Sequence, residues 1–399
     1  MADTRTLTEL FALDSLLSAD EIEIRDTVRA FGDKRIRPHI AEWFEDARIP
    51  ARELAKELGG VGVLGMHLDG YGCAGMSAVS YGLACLELEA IDSGIRSLVS
   101  VQGSLAMFAI HHWGSEEHKN EWLPRMAAGE ALGCFGLTEP DFGSDPGGMR
   151  THAKRDGSGD DADWVLNGAK MWITNGSVAD VAVVWANTEL EDGAKGIRGF
   201  VVPTDTPGFS APEIKAKMSL RASVTSELVL QDVRLPASAM LPEARGLRGP
   251  LSCLNEARFG IIFGAIGAAR DCLETAVDYA STRMVFDKPL AAYQLTQAKI
   301  ADIALEVGKG HLLAYHLGRL KDAGTVEPAQ VSLGKLNNCR EAIAVARECR
   351  TILAANGITL EYPVIRHANN LESVLTYEGT SEVHQLTIGR ALTGEAAFR

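Results

Sequence analysis

A carboxylate set between an aromatic ring and a glycine, Tyr377-Glu378-Gly379, followed by Thr380-Ser381-Glu382, is the segment of this chain best suited to proton chemistry. The ring strips water from the carboxylate, which raises its pKa toward the working pH and makes it a better proton acceptor. Gly379 lets a substrate come close to the backbone. The same residues also read as a helix start, with Thr380 or Ser381 as cap ahead of Val383, Leu386, Ile388 and Leu392. Taken alone, the segment favours the helix start.

Two further runs precede it in order, Cys134-Phe-Gly-Leu-Thr-Glu-Pro-Asp-Phe-Gly-Ser144-Asp145 and Met171-Trp-Ile-Thr-Asn-Gly176. Together the three closely resemble the acyl-CoA dehydrogenase family, and the likeness spans nearly the whole chain. A more local run, Asp92-Ser-Gly-Ile-Arg96-Ser97-Leu-Val-Ser-Val-Gln102, is similar to the glutaryl-CoA dehydrogenase branch. The resemblance implies that Glu378 takes the α-proton of an acyl-CoA thioester while a hydride leaves Cβ for flavin N5. The thioester oxygen would be stabilised by the Glu378 N–H and a flavin ribityl hydroxyl. Electrons would then pass to an electron-transferring flavoprotein.

A flavin needs a flat pocket with donors at fixed spacing and one face open to substrate. By resemblance, the stretch from Phe135 to Ser144 runs along FAD, with Phe135, Gly136, Leu137, Thr138 and Ser144 as contacts, and Ser144 also meets substrate. Trp172, Ile173 and Thr174 cover one ring face. Arg283, Phe286 and Gln294 hold the pyrophosphate and adenosine across a subunit boundary in a homotetramer, and Thr380, Ser381 and Glu382 add contacts. Read from the residues alone, Trp172 is equally a sheet-core tryptophan, and Arg283 a helix-end arginine that could also pair bidentately with phosphate. Ala354-Ala355-Asn356-Gly357 stands where the family commonly has Gly-Gly-x-Gly.

For substrate, the resemblance implies that Leu251, Leu254 and Asn255 line the CoA-ester channel, with Arg258 near the nucleotide and Gly379 beside the acyl group. Glu256 and Arg258 read equally as surface charges. A distal carboxylate buried without a partner is costly, so selectivity for a dicarboxylic acyl chain requires a cation. Arg96 meets that need, with Ser97 and Tyr377 as donors. Glu89 lies two helical turns before Arg96 if the helix continues, on the same face. By resemblance Glu89 belongs to the network that guides decarboxylation, in which a glutaconyl product loses CO2 and protonated Glu378 returns the proton to form crotonyl-CoA. A straight- or branched-chain acyl-CoA dehydrogenase, an acyl-CoA oxidase and a non-catalytic scaffold are the alternative readings.

The elements that must position these residues follow from pattern. The 399 residues suffice for two or three cooperating domains, and 46% apolar with 23% charged residues is an ordinary globular composition. The net charge of −14 provides no basic field for nucleic acid. Seven cysteines scattered singly fit a reducing compartment, and the ten histidines form no metal-binding pattern. With no signal or transit segment and no run long enough to span a bilayer, a cytoplasmic location without membrane insertion is expected.

The first third reads helical, with one helix capped at Ala19-Asp20 and another opened by Ser115-Glu116-Glu117 that ends before Pro124. Asn167-Gly168 reads as a hairpin turn between Trp164-Val165-Leu166 and Met171-Trp172-Ile173. Strand-like runs follow at Val178 to Asn187, Gly199 to Val202 and Ser226 to Val233, and helical periodicity returns past Pro236 and the Gly-Pro pair at 249–250. Gly70-Tyr-Gly72-Cys-Ala-Gly75 matches a dinucleotide fingerprint, but no strand–helix–strand alternation follows, so a loop before a helix is the better reading. The expected fold is α+β: an N-terminal helical domain over 1–133, a middle antiparallel β domain over 134–245 and, by resemblance, a C-terminal four-helix bundle over 246–399.

Overall fold

Capping side chains set the helix starts of the first third. Ser18 and Ser115 each bond the third residue of their helix and are bonded in return, and Asp92 accepts from the Gly94 N–H at 2.7 Å. The computed structural model describes residues 5–157, 159, 162–189 and 195–397. The N-terminal helices are α1 (Leu7–Leu10), α2 (Ala19–Arg35), α3 (Ile40–Glu45), α4 (Ala51–Val61), α5 (Ala78–Glu89), α6 (Ser93–Ser100), α7 (Phe108–Trp113) and α8 (Glu116–Ala127). A π-helical stretch, Val101–Met107, joins α6 to α7.

Two starts and stops differ from expectation. Ser18, one residue earlier than expected, caps α2, because its hydroxyl reaches the Glu21 N–H. Pro124 lies inside α8, which runs on to Ala127. A proline in the last turn removes one N–H bond, and the helix here closes through later residues such as the Ala128 N–H to the Pro124 carbonyl.

The middle block is one seven-stranded sheet of β1 (Gly133–Gly136), β2 (His152–Asp156), β3 (Asp163–Thr174), β4 (Val181–Glu189), β5 (Lys195–Pro203), β6 (Phe209–Ser210) and β7 (Thr225–Leu235). The path is β1-β4-β2-β3-β7-β6, with β5 paired to β4. The sheet is mixed rather than purely antiparallel, since β1 and β2 both run parallel to β4. Those two strands share one edge of β4 while β5 takes the whole of the other, which is why β4 is apolar and almost continuously buried.

Asn167-Gly168 is not a hairpin turn. It lies within β3 at a register shift against β7, where Gly168 takes φ 149° and the Asn167 amide bonds Asp232. A side chain at Gly168 would run into Thr151, just ahead of β2, so the glycine serves close chain approach at a bulge.

The C-terminal part comprises α9 (Arg248–Thr282), the short pair β8 (Met284–Val285) and β9 (Lys288–Pro289), α10 (Gln294–Asp322), α11 (Pro328–Ile352), α12 (Val364–Thr376) and α13 (Ser381–Thr393). All twelve residues of α5 are buried, as expected of a helix that is apolar all round. It packs on Phe259 and Phe263 of α9, so the two helical parts share one core. Glu87 of α5 stitches them electrostatically, with bidentate bonds to Arg270 of α9 at 2.7 Å and to Arg29 of α2 at 2.9 and 3.0 Å. Gly70, Gly72 and Gly75, all at positive φ, form the loop before α5. Among the described residues no helix is long and apolar enough to cross a membrane.

Candidate active site

Where α12 ends, the chain turns through Glu378 at φ 53° and Gly379 at φ 108° before Thr380 caps α13. Thr380 caps α13, as the helix-start reading expects, and the carboxylate lies in the turn just before that cap. A non-glycine residue in the left-handed region stores strain, and such residues cluster at functional sites. Gly379 is required, since a Cβ there would sit 2.8 Å from Nε2 of buried His384.

Two cations fasten the turn. Arg258 Nε donates to the Glu378 carbonyl at 2.6 Å, and Lys335 Nζ donates to the carbonyls of Leu375 at 2.8 Å and Gly379 at 2.9 Å. The Arg258 guanidinium also donates to Asn255 Oδ1 at 3.0 Å, so it is bound at the Glu378 turn. Leu251, Leu254, Asn255 and Arg258 lie along one face of α9, running from exposed Leu251 inward to the Glu378 turn. Glu256 is instead paired with Lys321 at 2.7 Å.

Glu378 as a residue is half-buried, but its Oε2 is wholly buried without a hydrogen-bond partner. Burial pushes its pKa up to about 7, against the opposing pull of Arg96, Arg258 and Lys335. The carboxylate is poised to exchange a proton near neutrality.

Beyond Glu378, Arg96 is 1% exposed and its Nε donates to Glu89 Oε2 at 2.6 Å. The expected two turns of continuous helix are absent: α5 stops at Glu89 and α6 begins at Ser93, and the pair meets across that break. Gly264 of α9 makes room, because a side chain there would strike the Glu89 carboxylate. Arg96 Nη2 bonds the Tyr377 hydroxyl and the guanidinium lies 5.5 Å from that ring's centre. Among the described residues Nη1 forms no hydrogen bond, and the Ser97 hydroxyl and Glu89 Oε1 are buried without partners. Burial alone would lower the Arg96 pKa, but Glu89 holds it well above its usual value. Asp92, which caps α6, also accepts from Arg366 Nε at 3.0 Å and Asn370 Nδ2 at 2.9 Å, so α6 is tied to α12, the helix that leads into the Glu378 turn.

The flavin-side residues divide. Phe135, Leu137 and Ile173 bury their side chains in core clusters, Phe135 against Trp185, so only their backbones remain to meet a ligand. Thr138 and Thr174 are half-buried, and Ser144 is exposed. The sheet-core reading of Trp172 fails: it is 58% exposed at φ 63°, lifted out by a second register shift in β3, while Trp164 and Trp185 fill the core. Sequence reading missed what supports this edge, where buried Lys170 reaches Glu139 at 2.8 Å and the Leu137 carbonyl at 3.1 Å. A lysine that alternates to the inside of a strand three residues before Ile173 was the available signal.

At the far end of α9, a groove of about 330 Å³ is lined by Arg283, Leu295, Lys299 and Thr351 among others. Phe286 stands 88% exposed and Gln294 and Arg283 are exposed beside it in sequence. Ala354 takes φ 52°, and Gly357 packs where a side chain would strike the Arg350 carbonyl. An exposed flat indole flanked by threonines, and a separate groove carrying two cations, fit the ring and the pyrophosphate of a flavin dinucleotide.

Three family models match consecutive stretches: the acyl-CoA dehydrogenase N-terminal domain over 18–130, the middle domain over 134–233 and the C-terminal domain over 244–393. The chain belongs to the acyl-CoA dehydrogenase family. Among solved structures it is similar to a glutaryl-CoA dehydrogenase from Mycobacterium smegmatis in complex with FADH2, at 70% identity and TM-score 0.96, covering 99% of this chain and 100% of that one. Butyryl-CoA dehydrogenase from Megasphaera elsdenii matches at 34% identity and TM-score 0.89, covering 94% and 98%. Human mitochondrial short-chain specific acyl-CoA dehydrogenase is 35% identical over 366 residues, 91% of this chain and 87% of that protein.

Proposed function

We propose that this member of the family is an FAD-dependent glutaryl-CoA dehydrogenase that converts its substrate to crotonyl-CoA and CO2. The observation that carries the specificity is the buried Arg96, held by Glu89 and Tyr377 next to the Glu378 turn. A butyryl chain gives a buried guanidinium nothing to bind, whereas a distal carboxylate meets Arg96 with the Ser97 hydroxyl beside it.

The thioester lies along the α9 face of Leu251, Leu254 and Asn255, and Ser144 and Gly379 bound the acyl group. Glu378 takes the α-proton, and its own N–H donates to the thioester oxygen as charge develops. FAD would supply the acceptor for the hydride from Cβ, and an electron-transferring flavoprotein is the expected destination of the electrons. Thr138, Trp172, Thr174 and the Thr380-Ser381-Glu382 turn would hold FAD, with Phe135, Gly136, Leu137 and Ile173 contributing backbone. After loss of CO2, Glu378 returns its proton to the product, with Glu89 and Arg96 holding the polar end of the pocket.

Exposed Phe286 and Leu295 around the Arg283 groove support a dimer of dimers in which a neighbouring subunit covers the dinucleotide. Sedimentation of the FAD-saturated protein tests that assembly, and a monomer contradicts it. The substrate reading is tested anaerobically: the yellow protein bleaches with glutaryl-CoA, with crotonyl-CoA and CO2 as products, and bleaches far more slowly with butyryl-CoA. Equal bleaching by both returns the protein to the short-chain dehydrogenases.

A further inference from the structure

Lys335 lies within α11 with 1% of its surface exposed, and among the described residues no carboxylate lies within ion-pair distance of its ammonium. Its partners are the neutral carbonyls of Leu375 and Gly379. One side chain therefore bridges the last turn of α12 and the residue before the cap of α13, with Glu378 between. An ammonium taken out of water and given only neutral partners is a costly way to hold a loop. What the charge adds is a field, and in a water-poor site that field acts strongly on a nearby buried carboxylate.

The groups facing Glu378 come from every element around it. They are Glu89 and Cys85 from α5, Arg96 from α6, Arg258 from α9, Lys335 and Cys339 from α11, adjacent Tyr377, and His384 from α13. Arg96 is offset by its contact with Glu89, whereas Arg258, held by Asn255 and the Glu378 carbonyl, has only neutral partners, as Lys335 does. Lys335 has no counter-charge of its own.

We propose that Lys335 is a positioning residue for the proton transfer: it ties together the two sides of the turn that carries Glu378 and brings a charge without a counter-ion to that buried site. This rests on the reading of Glu378 as the base. Burial raises the Glu378 pKa, and Lys335 is one of three cations that oppose the rise. Burial in turn lowers the pKa of Lys335, with Glu378 among the groups that raise it again.

The test compares Lys335→Gln, which keeps two amide donors, with Lys335→Met, which keeps none, at matched FAD content. The acid limb of kcat/KM for glutaryl-CoA should move to higher pH in both, giving roughly a tenfold loss near pH 6 that shrinks toward the wild-type plateau near pH 9, as a one-unit shift requires. An independent readout is the infrared carboxylic-acid stretch of Glu378 in the resting enzyme, assigned by its loss in Glu378→Gln. Its titration midpoint should rise in the same two variants. An unmoved midpoint, a loss equal at all pH values, or failure of both variants to fold with FAD assigns Lys335 to structure and overturns the proposal. Normal flavin reduction by Glu378→Gln would instead remove the base assignment itself, while the infrared midpoint still reports on Lys335.

Discussion

Around Glu378 the charged side chains are tied to their own chain: Arg96 to Glu89, Arg258 to Asn255 and the Glu378 carbonyl, Lys335 to two further carbonyls. At the other end of α9, Arg283, Phe286 and Gln294 stand exposed. The acyl end is preorganised within one subunit, where burial can tune a carboxylate. The end proposed for the dinucleotide offers exposed side chains that a ligand or a second subunit would cover. Chemistry and selectivity should therefore respond to changes at the first end, and cofactor retention to changes at the second.

The strongest challenge is Glu378→Gln, which keeps shape and hydrogen bonding but removes the basic site. It should bind FAD and acyl-CoA yet lose flavin reduction by at least about 10²-fold, measured by anaerobic stopped flow. Arg96→Gln comes next. Breaking a buried charge pair costs roughly 2–5 kcal/mol, so kcat/KM for glutaryl-CoA should fall about 30-fold to several thousand-fold while butyryl-CoA turnover is kept or improved. Because Arg96→Gln also strands the Glu89 carboxylate, the double variant with Glu89→Gln should recover stability but not glutaryl-CoA selectivity. Equal losses on both substrates in the double variant would make Arg96 structural.

Glu378 also has a stability consequence. Its folded pKa is about 7, raised by burial above the ordinary 4.5, so the folded state holds this proton more tightly than the unfolded chain does. The resulting stabilisation is complete below about pH 4.5 and is lost as pH rises through about 7. Glu378→Gln should accordingly be more stable than wild type above neutrality, by on the order of 2 kcal/mol, with the difference vanishing toward pH 4.5. Denaturant melts at several pH values, at matched FAD, check it; a pH-independent difference would contradict it.

At the other end, Arg283→Gln should weaken FAD retention by about 1.5–3 kcal/mol, the value of a charge-assisted hydrogen bond, while leaving the acid limb of the FAD-saturated enzyme in place. A shifted limb would break the separation of the two ends. The smallest effect is expected for Ala354→Gly. It relieves a left-handed alanine but loosens the unfolded chain, so calorimetry should show a change within about 1 kcal/mol.

The three-part order of helices, strands and helices was legible because its signals are local: serine and aspartate caps, apolar alternation and 3.6-residue periodicity. The errors have a common cause. Asn167-Gly168 carries hairpin residues, yet close packing against Thr151 turns that glycine into a bulge. Pro124 resembles a stop, yet α8 continues one turn past it. Trp172 was ambiguous because exposure depends on a register shift that no short window reveals.

The residue types of the candidate site, Tyr377-Glu378-Gly379 and the Asp92 to Ser97 run, were determined by the sequence itself, since a base between a ring and a glycine is a contiguous pattern. Only the tertiary structure decided the electrostatics. Arg258, Lys335 and Gly264 lie far from Glu378 or Arg96 along the chain, and their effects require a shared, water-poor interior brought together by α9, α11 and the break between α5 and α6. A pKa belongs to that enclosed volume and to the charges that face it, which is why linear spacing could name the proposed base but not the groups that tune it.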